Sequence, residues 1–279
     1  MKKILLIAVL MTLVSCNDFF EFSVPIEVEP HESKIAPGAL LGNMVNNENQ
    51  NNIYVSRSKG ALDNTNTPLY LSDATVTLTS GNDVFIYTES QDHPGLYTPE
   101  DEIVFTAGQQ YELTVEKSGF QTVFASQTFP AQVPIISATY DNEFLKVKFK
   151  DTAQQQDYYA VEMFRITPSG TAPCDLKPFG SNTINSSTNY ARLLFSDETF
   201  DGNNYEFKAR FETQGNNDGT QYIVYLHHIT ADYYKYDKAL GMNNDVGNNP
   251  FAEPVIMYTN IEQGYGIFGM SNTSEFMIE

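Results

Sequence analysis

Apolar and polar positions alternate with a period of two along most of this chain. The run Ala74-Thr75-Val76-Thr77-Leu78-Thr79 sets an apolar residue against a hydroxyl at each step, the pattern of a half-buried strand. Similar short runs lie at residues 39–42, 53–55, 84–87, 95–97, 110–115 and 122–125. Turn chemistry separates them, as in Ser80-Gly81-Asn82-Asp83 and Lys117-Ser118-Gly119. Pro130 and Pro134 mark a break, after which a second series follows at 135–140, 144–149, 158–166, 191–195, 205–211 and 222–229, with 255–258 and 266–269 as closing strands. One helix is predicted over 231–240, with Thr230 as its N-cap and Gly241 as its stop. It would stack Tyr233, Tyr236 and Leu240 on one face. The expected fold is all-β: two β-sandwich units of immunoglobulin or transthyretin type, at 34–130 and 131–279, with one short helix near the C-terminus.

The first residues follow another pattern. Lys2 and Lys3 precede an apolar run at 4–14. Those eleven residues rise about 16 Å as a helix, against a hydrocarbon core of about 30 Å, so the run reads as the apolar part of an export signal. It ends in Leu13-Val14-Ser15-Cys16, which is similar to a bacterial lipobox, where the cysteine is acylated and becomes the first mature residue. Residues 1–15 are thus expected to be a lipoprotein signal peptide and 16–33 a tether, with Cys16 the lipidation site. Ordinary secretion with an incidental cysteine is the alternative. Several acyl chains on one cysteine make a stable bilayer anchor where a single chain does not.

Composition narrows the partners. The chain has 35 acidic residues against 16 basic ones, a net charge of −19. Losing residues 1–15 removes Lys2 and Lys3 and no acid, taking it to −21. Nucleic acid is excluded as a partner on this ground, because its phosphates need clustered Lys and Arg.

Candidate chemistry is sparse. Gly264, Gly266 and Gly269 have dinucleotide-loop spacing, but no helix of useful length follows, so tight turns and close backbone packing explain them. His227 and His228 are adjacent in a predicted strand, point to opposite faces and cannot chelate one ion together. Asp197, Glu198 and Asp201 crowd one short loop; they read either as calcium ligands, calcium being a hard cation that takes oxygen donors, or as solvated hairpin acids. With Cys16 acylated, Cys174 has no disulfide partner and reads as a plain loop or core thiol. The proline-flanked stretch holding Asn249, Phe251 and Glu253 reads as a structural corner or as a partner-docking loop. No tryptophan offers a broad sugar-stacking surface.

The carboxy-terminal stretch from Asn249-Pro250-Phe251-Ala252-Glu253-Pro254 to Gly264-Tyr265-Gly266-Ile267-Phe268-Gly269, together with the lipobox, Tyr158-Tyr159, Phe195-Ser196-Asp197 and Phe200-Asp201-Gly202, resembles a Bacteroidota lipoprotein family known only as a domain of unknown function. The amino-terminal unit is similar to carboxypeptidase-regulatory or transthyretin-like sandwiches. The resemblance implies an outer-membrane lipoprotein and a TonB-dependent transporter as partner in nutrient uptake. It supplies no catalytic residues, so no enzymatic activity is expected. The alternative function is that of a surface adhesin or carbohydrate-binding module, with calcium assisting.

Overall fold

The computed structural model describes residues 31–43, 51–60, 66–141, 143–189, 191–211, 221–246 and 256–278. Strands β1 (Ile35–Asn43), β2 (Ile53–Arg57), β3 (Thr75–Ser80), β4 (Asp83–Glu89), β5 (Leu96–Pro99), β6 (Gln110–Glu116) and β7 (Val123–Thr128) form where the period-two runs predict them. In β7 the alternation is complete: Val123, Ala125 and Gln127 are buried, and Phe124, Ser126 and Thr128 are exposed. These strands pair in the order β1-β2-β5-β4-β3-β6-β7. Leu41 of β1 and Leu113 of β6, near opposite ends of that order, share one apolar cluster with Ile53, Leu78 and Tyr97, so the sheet curls over its own inner face.

The second series comprises β8 (Ile135–Tyr140), β9 (Phe144–Lys150), β10 (Tyr158–Thr167), β11 (Gly170–Pro173), β12 (Leu176–Pro178), β13 (Thr183–Asn185), β14 (Leu193–Ser196), β15 (Asn204–Phe211), β16 (Tyr222–Ile229), helix α1 (Ala231–Val246) and β17 (Ile267–Ile278). A four-stranded sheet, β12-β15-β9-β8, packs over β14, β10 and β16. Phe149, Tyr159, Phe195, Phe207 and Leu226 fill the space between the layers, and the rings of Phe195 and Phe207 stack with centroids 4.6 Å apart. The other face of the same strands carries Tyr158, Ala160, Leu194 and Ile229 against Tyr233 and Tyr234 of α1. The chain is therefore all-β and sandwich-like, with one helix among the described residues laid on the outer face.

Three features depart from the sequence pattern. The first is β17, expected as a four-residue closing strand and found to span Ile267–Ile278. It lies between β1, to which it runs parallel, and β16, to which it runs antiparallel. One sheet consequently passes through both cores, and Ile261, Phe268 and Met270 complete the cluster of the amino-terminal strands. The polar run Ser271-Asn272-Thr273-Ser274 is buried in it. Two of those side chains serve the strandless connector between the cores: Asn272 Nδ2 donates to the Pro130 carbonyl at 3.0 Å, and Ser274 Oγ to that of Val133 at 2.8 Å. A backbone without a ladder needs such partners when it is buried. The second departure concerns 255–258: residues 256–258 carry no strand, because Tyr258 turns to hydrogen-bond Asp232 in the first turn of α1 instead of joining the sheet. The third comprises β11, β12 and β13, whose three or four residues are too few to leave a periodic signal.

Helix α1 starts where expected. The Thr230 carbonyl accepts the Tyr234 N–H at 3.2 Å. Its hydroxyl, however, accepts the Met270 N–H at 3.1 Å, clamping the helix start to β17 rather than capping it. Gly241 does not end the helix, which runs on to Val246. A Cβ there would sit 2.7 Å from Ser187 Oγ, so this glycine permits close docking at a helix cost of only about 1 kcal/mol. Gly269 plays the same part on β17, where a Cβ would come 2.7 Å from Tyr233 Cβ. Gly269→Ala is expected to lower stability by about 1–3 kcal/mol in urea unfolding, the usual cost of overpacking. Gly38→Ala on β1, with nothing within 4 Å, is expected to change it little.

Candidate functional site

Where the first core meets the second, the ends of β7, β10 and β16 enclose a cleft of about 540 Å³. Its walls mix polar and apolar groups: Gln110, Ser126, Gln127, Gln155, Asp157, His228 and Thr230 line it together with Phe129, Pro130, Tyr158 and Ile229. Its size suits a small ligand, and amides and hydroxyls of this kind orient one by hydrogen bonds.

The two adjacent histidines of β16 do face opposite ways. His228 turns into the sandwich and stacks on Tyr159, with centroids 5.2 Å apart. Its Nδ1 lies 2.8 Å from the Ala131 carbonyl and its Nε2 3.0 Å from Asp157 Oδ1. Both neighbours are oxygen atoms, so the ring is held at its two nitrogens between the connector and Asp157. His227 turns towards α1, with Nδ1 2.9 Å from Thr273 Oγ1 and Nε2 3.7 Å from Glu162 Oε2.

Beside His228 three carboxylates converge. Asp151 follows β9, Asp157 precedes β10 and Asp197 follows β14, and all three are buried. One oxygen from each lies within 4.8 Å of the others. Asp151 accepts from Tyr159 OH at 2.5 Å and from the Gly202 N–H at 2.7 Å. Asp157 accepts from Gln155 Nε2 at 2.9 Å as well as facing His228. Asp197, only 1% exposed, has no donor at Oδ2. Burial, followed by the charges of Asp151, Asp157 and Asp201, raises its pKa above the usual carboxylate range.

Of the loop acids that the sequence pattern groups together, only Asp197 enters this cluster. Glu198 and Asp201 are exposed, and Asp201 Oδ1 accepts the Gln154 N–H at 2.9 Å. Asp151 and Asp157 lie some forty residues upstream, so spacing gives no hint of them; three acids at neighbouring strand ends are brought together only by the sheet order. Cys174 is a buried core thiol whose pKa burial pushes up to about 11. Gly264, Gly266 and Gly269 lie against Ile35, Pro37 and Tyr233 as close-packing positions. Cys16, Asn249, Phe251 and Glu253 lie outside the described residues.

The geometry defines a β-sandwich-like protein with a cleft lined in part by the buried Asp157 and His228. More particularly, the chain belongs to the family described as Domain of unknown function (DUF4249), which it matches over residues 25–276. No curated protein matches it.

Proposed function

We propose that this chain is a Bacteroidota outer-membrane lipoprotein, anchored through acylated Cys16, that serves a TonB-dependent transporter as a non-catalytic accessory in nutrient uptake. The observation that carries the reading is the apolar run ending in Leu13-Val14-Ser15-Cys16 ahead of a strongly acidic body. Lipid holds the tip at the bilayer, and the anionic sandwich stays in water. The amino-terminal strands act as a carboxypeptidase-regulatory or transthyretin-like scaffold. The cleft over Asp157 and His228 captures a small polar nutrient by hydrogen bonds from its amides and hydroxyls.

Native protein purified from detergent-solubilised membranes tests both halves. Intact mass should show a chain beginning at acylated Cys16, and a TonB-dependent transporter should co-purify. Cys16→Ala should move the protein out of the membrane fraction. A chain with no acyl group, or a purification that recovers no transporter, would overturn the reading. The cleft also fits a carbohydrate-binding module or adhesin, which binding on glycan arrays with and without chelator would favour.

A further inference from the structure

The acidic cluster beneath the cleft has unfilled lone pairs in a place where water is scarce. Asp197 is 1% exposed and its Oδ2 has no donor. Each oxygen of Asp151 takes one donor, and Asp157 Oδ2 takes only Gln155, so each keeps a lone pair free. Among the described residues no lysine or arginine pairs with the three, and the His228 ring is the one basic group that faces them. That ring faces Asp157, which leaves Asp151 and Asp197 without a basic partner. Buried carboxylates require a counter-charge. The surrounding rings of Phe149, Tyr159, Phe195 and Phe200 offer none.

We propose that Asp151, Asp157 and Asp197 bind one calcium ion, which ties the loop after β9 to the loop after β14 and fixes the floor of the cleft. An all-oxygen donor set selects a hard cation. Two oxygens on one calcium are at most about 5 Å apart, a limit that the 4.8 Å spread meets. Magnesium favours one or two carboxylates and keeps several waters, which this buried place does not suit. The ion also reaches the connector between the cores, because Asp157 holds His228 and His228 holds the Ala131 carbonyl. This site stands independently of any transporter or membrane anchor.

The test uses the mature chain in detergent, stripped with a chelator and then titrated with calcium chloride in a calorimeter. One saturable site and a calcium-dependent rise in Tm are expected, with magnesium at the same concentration giving neither. Asp197→Asn should weaken calcium binding at least tenfold, and Glu198→Gln should leave it within about twofold. Terbium, a luminescent stand-in for calcium, should be sensitised by the tyrosines of the wild-type chain and displaced by calcium, a readout that needs no variant to fold. The proposal is overturned if stripped wild-type protein shows neither heat nor a Tm shift, if Asp197→Asn binds as wild type does, or if magnesium binds equally well.

Discussion

Arg192→Met should destabilise the protein by about 3–5 kcal/mol, because it leaves a carboxylate charged and alone beneath the helix. Arg192 and Glu162 are both about 5% exposed, and Arg192 Nε donates to Glu162 Oε1, which also accepts from Asn189 Nδ2. Burial works against ionisation of Glu162, yet the Arg192 charge and the nearby His227 overcome it and hold the carboxyl at about 2. In the unfolded chain that group titrates near its ordinary 4.5. Its ionised form therefore stabilises the fold above about pH 4.5, and the contribution, on the order of 3 kcal/mol, drains away as the pH falls towards 2. His227 acts earlier. Burial and then the Arg192 charge push its pKa below the usual 6.5, so the folded ring stays neutral while the unfolded one takes up a proton, and stability falls as the pH drops below about 6.5.

Urea unfolding of wild type at pH 7, 5 and 3 should thus show a two-stage loss. Glu162→Gln should flatten the lower stage while leaving the upper one. The double variant Arg192→Met with Glu162→Met should recover most of the single-variant loss, since an apolar pair of similar volume is tolerated where a half-pair is not. A single variant within about 1 kcal/mol of wild type would show that the pair has no such role.

The strands were legible because burial on one face writes itself as alternation. β3 and β6 pack one face inward, and their sequences alternate accordingly. The same logic correctly split His227 from His228. It failed where a buried strand is polar in sequence or its pairing is remote. The middle of β17 is polar in sequence yet buried in the fold, because it hydrogen-bonds a connector that no local window reveals. Gly241 carried a stop signal, and contact with Ser187 overrode it. The acidic cluster was one-third visible: Asp197 drew notice through its loop neighbours, which point elsewhere, while its actual companions come from two other strand ends. Chemistry assembled by sheet order leaves no motif.

Stopping the chain after Met270 should abolish the folded state rather than trim an edge. The lost segment supplies the register Ser271↔Ile229 to Ile278↔Tyr222 with β16, and Ser271 and Asn272 opposite Gly42 and Asn43 of β1. Without it β16 loses a ladder on an edge buried from both faces, and the carbonyls of Pro130 and Val133 lose Asn272 and Ser274. Each buried group left unpaired costs about 1–3 kcal/mol, against a total stability of about 5–15 kcal/mol for a typical domain. Near-UV circular dichroism should report loss of fixed tyrosine packing, and limited proteolysis should lose its protected core. The milder pair Asn272→Ala and Ser274→Ala keeps the ladder and should cost only the two side-chain bonds; a truncated chain no less stable than that pair would show that β17 closes nothing. Residues 34–130 lack Ile261, Phe268 and Met270, which belong to their own apolar cluster, so that fragment alone should expose the face that β17 covers and aggregate. Because β1 pairs with β17, more than two hundred residues along the chain, that ladder is a long-range contact whose closure loop entropy slows.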